Sequence, residues 1–158
     1  MFSLILATIN RSKEIKECLL SIENQVYKNY EVIIIDQSNN NQTQRIVEEF
    51  SHLNIKYHMV DFTGLSKARN FGINHARGDY CCLLDDDAVY SKDYLCVAKN
   101  LLQRFGNVVL SGIILNIKDQ ISPFVHYKSK NESELKIKEI ISTCPSAALI
   151  FPRNAFLE

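Results

Sequence analysis

Residues 80–87 read Tyr80-Cys81-Cys82-Leu83-Leu84-Asp85-Asp86-Asp87, a short apolar run that leads directly into three adjacent carboxylates. A short apolar run bounded by polar residues is typical of a buried strand. Carboxylates a few ångströms apart repel one another, so the cluster destabilises a fold unless a cation neutralises it. Oxygen ligands suit hard ions such as Mg²⁺ or Mn²⁺. The stretch therefore predicts a metal site that holds a phosphorylated ligand, and a solvated acidic turn is the alternative.

The composition is that of one soluble globular domain. The chain has 158 residues, of which 46% are hydrophobic and 23% charged, so it can bury a core of ordinary size. Its 18 basic and 18 acidic side chains balance, which argues against a nucleic-acid partner held by a basic surface. Its apolar runs are too short for a membrane span, and no secretion signal is expected. The five cysteines lack CxxC spacing, which predicts buried thiols in a reducing cytosol.

Apolar patterns on both sides of the acidic stretch predict strands that alternate with helices. Continuous apolar runs predict strands over residues 2–7, 31–36, 54–60, 79–84 and 108–115. Apolar residues at helical spacing predict helices that begin near Ser12, Gln44, Leu65 and Ser91, with the two serines as caps. Val26 and Leu65 belong to the predicted buried faces. This alternation predicts a mostly parallel sheet with crossover helices.

The pattern weakens after residue 116. We predict a loop with a short strand over residues 118–138, and further strand material at residues 140–141 and 147–151. No repeat, low-complexity tract or linker separates this part from the rest, so no second domain is predicted.

Three polar segments follow predicted strand ends, namely residues 8–11, 36–38 and 85–87. In open α/β sheets the ligand lies outside the carboxyl ends of the strands. We therefore expect these segments to line one edge of the sheet together and to form a single site.

Read together, these segments resemble the family 2 glycosyltransferases of the GT-A fold. Residues 6–11, Leu-Ala-Thr-Ile-Asn-Arg, are similar to the family's first strand and nucleotide loop. Residues 33–38, Ile-Ile-Ile-Asp-Gln-Ser, are similar to its second strand, and residues 64–80 resemble its most recognisable helix, with Ala-Arg-Asn at residues 68–70. Residues 84–87, Leu-Asp-Asp-Asp, match its DxD position. The resemblance covers nearly the whole chain.

The resemblance implies a Rossmann-like three-layer α/β sandwich with a mostly parallel central sheet, forming one nucleotide-sugar-binding domain over residues 1–158. It implies an inverting, metal-dependent transfer of a sugar from a nucleotide diphosphate, most often a UDP-sugar, to a glycan or glycoconjugate acceptor in the cytoplasm or at the inner face of the membrane. Inversion needs a general base opposite the departing diphosphate. The chain ends at Glu158, before the family segment that normally supplies this base, so we expect the donor-binding part of a longer enzyme.

The resemblance also implies roles for the charged residues. Asp87 would bind Mn²⁺ or Mg²⁺ directly, and Asp85 and Asp86 would hold the ribose or complete the outer shell of the metal. Arg69 would reach the donor's phosphates, because a guanidinium suits them. The alternative for Arg69 is an ion pair that neutralises the acidic cluster.

The remaining predicted nucleotide contacts lie after the first two strands. Asp36 would accept a hydrogen bond from the ring N–H of uracil or thymine, and its alternative role is to cap the next helix. Ala7 and Thr8 would contact the base or ribose, although an ordinary loop threonine is equally compatible with the sequence. Arg11 would lie near the nucleotide or be a simple surface cation. Gln37 stands where the family often has a second acid or a glycine nearby, which leaves the base preference open.

Three other functions are compatible with acids at strand ends. A non-catalytic module that binds nucleotide and metal is one. A receiver-like Mg²⁺-binding signalling domain is another, although it would place paired acids after the first strand, where this chain has Thr8-Ile9-Asn10. An aspartyl-phosphate phosphohydrolase fits less well, because Asp87 is followed by Ala88-Val89-Tyr90 without the usual hydroxyl partner.

Overall fold

The computed structural model describes residues 1–106, 108–112 and 148–156. Within them, strands and helices alternate as the sequence predicts. In chain order they are β1 (Phe2–Thr8), α1 (Ser12–Glu23), β2 (Tyr30–Asp36), α2 (Gln42–Glu49), β3 (Ile55–Met59), α3 (Leu65–His75), β4 (Tyr80–Asp85), α4 (Tyr94–Phe105), β5 (Leu110–Ser111) and β6 (Ala148–Pro152), followed by a 3₁₀ turn (Arg153–Phe156).

The described strands form one sheet in the order β3-β2-β1-β4-β6-β5. Strands β3, β2, β1 and β4 are parallel, whereas β6 runs antiparallel to both β4 and β5. The register pairs Thr8 with Asp36 and Ala7 with Asp85, so the carboxyl ends of three strands meet at one edge. The predicted mostly parallel α/β sheet is therefore confirmed.

The sheet is covered on both faces, which explains why β1 and β2 are mostly apolar and are buried along their whole length. On one face Leu4, Leu6 and Ile34 pack with buried residues of α1 and α4. On the other face Ile5 and Ile35 pack with buried residues of α3. Helix α3 lies so close to the sheet that a Cβ atom added at Gly72 would be 2.5 Å from Ile5 Cγ2. The glycine thus permits an approach that no larger residue allows.

Several sequence predictions about helix ends were wrong. Ser12 is the first residue of α1 rather than its cap, and α4 begins three residues after Ser91; neither helix has a side-chain cap. Val26 lies beyond the end of α1, where its N–H donates to the Lys92 carbonyl, so its side chain leaves the helical face and is exposed. Leu65 is exposed because the buried part of α3 starts at Ala68.

The C-terminal predictions are only partly covered by the described residues. Strand β6 confirms the strand material near residues 147–151. Of the strand predicted over residues 108–115, β5 covers residues 110–111, and residues 113–115 lie outside the described residues. The loop predicted over residues 118–138, the strand material at residues 140–141 and Glu158 lie outside the described residues. In the part of the chain that the structure describes, no helix has the length and apolarity that a membrane crossing requires.

Candidate functional site

The tips of β1, β2 and β4 hold the three polar segments at one edge, as predicted. The Gln37 N–H donates to the Thr8 carbonyl over 2.9 Å, and the Asn10 N–H donates to Ser38 Oγ over 2.8 Å. These bonds join the loop after β1 to the loop after β2. The same β1 loop then reaches the acidic cluster through Arg11, so all three segments belong to one site.

Two arginines neutralise the acidic cluster. Arg69 Nη2 lies 2.8 Å from Asp85 Oδ1. Arg11 Nη1 lies 3.1 Å from Asp86 Oδ1 and 2.6 Å from Asp87 Oδ2. Burial is the largest reason why the pKa of Asp85 is raised; Arg69 opposes it, and the neighbouring aspartates add to it. The three carboxylates are therefore held together by cations from α3 and from the β1 loop.

These contacts show the ion-pair role of Arg69 and a bridging role for Arg11. Arg69 forms the ion pair with Asp85 and is 8% exposed, and its Nε atom has no hydrogen-bond partner among the described residues. Arg11 is not a simple surface cation, because it bridges two of the acids. Sequence analysis missed this bridge across 75 residues. A second arginine could have been expected from the sequence, because three adjacent carboxylates need more than one cation.

Asp36 stabilises the loop after β2. Its Oδ1 accepts hydrogen bonds from the Ser38 N–H at 2.9 Å and the Ser38 hydroxyl at 2.5 Å, and its Oδ2 accepts one from the Tyr57 hydroxyl at 2.7 Å. Burial, reinforced by this bond to Asp36, raises the pKa of Tyr57. The side chain of Asp36 is fully buried. The alternative role as a helix cap is wrong, because α2 begins at Gln42, well after Asp36.

Two further predicted residues lie at the end of β1. Ala7 and Thr8 are both buried. The Thr8 hydroxyl has no hydrogen-bond partner within the described residues, which is costly for a buried polar group unless a ligand or water completes it. This orphaned hydroxyl is compatible with a polar ligand at the strand tip.

A cleft of about 630 Å³, here called the Gln37 cleft, opens beside these tips. Gln37 contributes its amide, whose Oε1 accepts the Gly64 N–H at 2.7 Å. The lining residues come from the loops after β1, β2 and β3, and they are Ile9, Asn10, Gln37, Ser38, Asn39, Met59, Val60, Asp61, Phe62 and Thr63. Sequence analysis missed the contribution after β3. The strand-end rule could have found it, since β3 is parallel to β2 and ends at the same edge.

The acids fit a cation that a bound ligand helps to hold. Among the described side chains, no group of three His, Cys, Asp or Glu residues is arranged to bind a metal by itself. Asp87 is the most exposed of the three acids, with half of its side chain accessible. Mg²⁺-type ions are commonly bound by one or two carboxylates together with substrate phosphates. The donor set thus fits a metal that a diphosphate helps to hold.

Known glycosyltransferases are similar to this chain in sequence. The family model described as Glycosyl transferase family 2 matches residues 3–156. Glycosyltransferase GlyA of Streptococcus pneumoniae is 33% identical over 95 residues, which cover 59% of this chain and 14% of GlyA. Poly(ribitol-phosphate) beta-N-acetylglucosaminyltransferase TarS of Staphylococcus aureus is 32% identical over 99 residues, or 60% of this chain and 17% of TarS.

Solved structures show the same architecture. The crystal structure of S. aureus TarS 1-349 in complex with UDP superimposes with a TM-score of 0.79 and 26% identity, covering 96% of this chain and 46% of that one. The mannosyltransferase PcManGT of Pyrobaculum calidifontis, in complex with GDP-Man and Mn²⁺, gives a TM-score of 0.66 and 24% identity, covering 75% and 36%. The chain thus spans less than half the length of each of these proteins.

Proposed function

The chain belongs to glycosyl transferase family 2, and on that premise we propose that it is the donor-binding part of an enzyme that transfers a sugar from a nucleotide diphosphate to a glycan or glycoconjugate. The observation that carries this proposal is the convergence of the Gln37 cleft and the acidic cluster at one sheet edge. Residues 1–158 form one such domain in this proposal. Inversion requires a general base on the face opposite the diphosphate, and we assign that role to no residue of the described part of the chain.

At the phosphate end, we propose that Asp87 is the direct ligand of Mn²⁺ or Mg²⁺. The ion would supply positive charge that stabilises the departing diphosphate. Asp86 and Asp85 complete the outer shell or hold the ribose, since both are already oriented by arginines. Arg11 contacts Asp87 Oδ2 and would compete with a metal ion at that oxygen. The Mn²⁺ complex of PcManGT supports a metal of this kind.

At the nucleoside end, we propose that the base enters the Gln37 cleft. The UDP complex of TarS supports UDP as the nucleotide. Ala7 and Thr8 contribute the end of β1, where the unpartnered Thr8 hydroxyl can bind the base or ribose. Asp36 was predicted to accept the ring N–H directly. Because both of its oxygens are engaged inside the fold, we propose that Asp36 instead holds Ser38 and the cleft loop in position.

The state of the cysteine thiols indicates the cellular compartment that we propose. Cys18, Cys81 and Cys82 are buried and unpaired in the described part of the chain. Unpaired thiols persist in reducing compartments. We therefore propose that the enzyme works in the cytoplasm or at the inner face of the membrane.

The proposal is tested by calorimetry of UDP binding with and without Mn²⁺. We expect metal-dependent binding that Asp87→Ala abolishes and that Asp93→Ala, at an exposed acid nearby in sequence, leaves unchanged. Arg69→Ala should weaken UDP binding more than uridine binding, because a guanidinium interacts with the phosphates. Metal-independent UDP binding in the unaltered chain, or full metal-dependent binding by Asp87→Ala, would contradict the metal assignment. The absence of any nucleotide binding would contradict the donor site as a whole.

A further inference from the structure

We propose that Gln37 makes the base site accept cytosine as well as uracil, because its side chain presents a hydrogen-bond donor that can bind the O2 carbonyl of either base. This inference rests on the proposed donor-binding function and specifies the class of nucleotide. It concerns pyrimidine nucleoside diphosphates that share the O2 carbonyl.

The orientation of the Gln37 amide is determined by its partner. The Gly64 backbone nitrogen lies 2.7 Å from Oε1. A backbone N–H can only donate, so the amide atom that faces it has to be the oxygen. Gly64 has φ of +125°, a backbone conformation that side-chain-bearing residues rarely adopt. The position of this N–H is therefore determined by the backbone conformation of the loop that leads into α3.

The other end of the amide is left for a ligand. Nε2 lies 3.5 Å from the Thr8 carbonyl, at the outer limit of a hydrogen bond. The NH₂ group has two hydrogens, so at least one has no strong acceptor in this contact. Gln37 is half-buried and lines the cleft. It thus offers a donor to a base bound there.

The neighbouring carboxylate does not supply an acceptor. Asp36 is fully buried, and its two oxygens accept from Ser38 and Tyr57. Asp61, the acid among the cleft-lining residues, is exposed, so water competes for its oxygens. Neither Asp36 nor Asp61 therefore presents a fixed carboxylate oxygen to an N–H at position 3 of the base.

Uracil and cytosine differ at N3 and C4. Uracil carries a donor at N3 and an acceptor at O4, whereas cytosine carries an acceptor at N3 and a donor amino group at C4. Both carry an acceptor at O2. A donor at Gln37 can bind O2 in either base. A carboxylate there would be repelled by O2 and could accept only from the neighbouring N3–H, which uracil carries and cytosine lacks. Gln37 thus removes the discrimination that an acid would give.

The test compares Mn²⁺-dependent binding of UDP and CDP by calorimetry in the unaltered chain, Gln37→Glu and Gln37→Met. We expect the unaltered chain to bind both nucleotides within about threefold, because O2 is common to both bases. Gln37→Glu keeps one oxygen on the Gly64 N–H and presents the other to the base. It should prefer UDP by about tenfold or more, because the carboxylate gains a hydrogen bond from uracil and is left with an unsatisfied contact beside cytosine. Gln37→Met should weaken both nucleotides by a similar factor.

Two outcomes would overturn the inference while leaving the donor site intact. One is a preference of the unaltered chain for UDP over CDP of about tenfold or more. The other is an unchanged ratio in Gln37→Glu, which would show that Gln37 does not face the base. If the unaltered chain binds neither nucleotide, the proposed function fails and this inference fails with it.

Discussion

Replacing Gly72 with alanine tests how closely α3 has to approach the sheet. A Cβ atom at this position would lie 2.5 Å from Ile5 Cγ2 and 2.8 Å from Ile35 Cδ1. Ordinary carbon contacts are about 3.5–4.0 Å, so the overlap with Ile5 is about 1 Å or more. Both isoleucines are fully buried, and a β-branched side chain such as Ile5 has little rotamer freedom with which to move away.

The expected loss of stability follows from two opposing effects. Overpacking of a buried site costs about 1–3 kcal/mol, and the stiffness of Ile5 favours the upper end. Alanine in place of glycine contributes about 1 kcal/mol of helix propensity in the opposite direction. We therefore expect Gly72→Ala to lower the free energy of unfolding by about 2 kcal/mol.

Urea denaturation measures this change as a lower midpoint at an unchanged slope. Asn70→Ala, at an exposed position of the same helix, is the matched control and should be neutral or slightly stabilising. Because Arg69 lies one turn before Gly72, a displaced α3 should also weaken UDP binding. An unfolding midpoint of Gly72→Ala equal to or above that of the unaltered chain would refute the close packing on which this reasoning depends.

Three further predictions concern charges and thiols. Arg11→Gln should tighten nucleotide-free Mn²⁺ binding about two- to fivefold, because it removes a half-exposed competing cation worth roughly 0.5–1 kcal/mol. Electron paramagnetic resonance measures this affinity, and weaker Mn²⁺ binding by the variant would contradict the prediction. Burial, with His75 and Lys56 nearby, lowers the pKa of His58 below 6.5, so stability should fall as the pH drops through 6.5 toward that lowered value. His58→Phe should flatten this part of the pH profile, and an unchanged slope would argue against the assignment. Burial raises the pKa of Cys18 to about 12, so iodoacetamide at pH 8 should label the half-buried Cys96 well before Cys18; equal labelling rates by mass spectrometry would show that Cys18 is accessible.

The sequence predicted those features that depend on local patterns. Strand β4 and its three acids follow from an apolar run that ends in carboxylates, and the meeting of the strand tips follows from the rule for parallel sheets. The helix caps at Ser12 and Ser91 were wrong, because a serine near a helix start is only a weak signal when tertiary contacts fix where the helix begins.

The remaining features of the site depend on where individual side chains point, and no local sequence pattern contains this information. Arg11 reaches acids 75 residues away because the β1 loop turns toward β4. The Gln37 amide is oriented by a backbone N–H that becomes available only once the Gly64 loop is in place. Asp36 stands at the predicted strand tip, yet its side chain turns inward to Tyr57. A strand-end rule identifies the edge of the sheet but not the direction of each side chain.

The three arginine–aspartate ion pairs explain how the protein itself stabilises the acidic cluster. Without a divalent ion, three adjacent carboxylates would repel one another. Arg69 and Arg11 supply two positive charges at 2.6–3.1 Å from these carboxylates. Arg11 is half-exposed, so its exchange for a metal ion requires little loss of buried contact.

Phosphorus NMR of UDP in the presence of Mn²⁺ tests the central claim most directly, because a paramagnetic ion broadens only the resonances of nearby nuclei. If the acidic cluster and the Gln37 cleft serve one donor, UDP with the unaltered chain should show broadening of its phosphorus signals beyond that of UDP and Mn²⁺ without protein. Asp87→Asn should lower the broadening to this protein-free level while uridine still binds in the cleft. Equal broadening in Asp87→Asn, or uridine binding that Gln37→Met leaves unaffected, would contradict a single site shared by the strand tips.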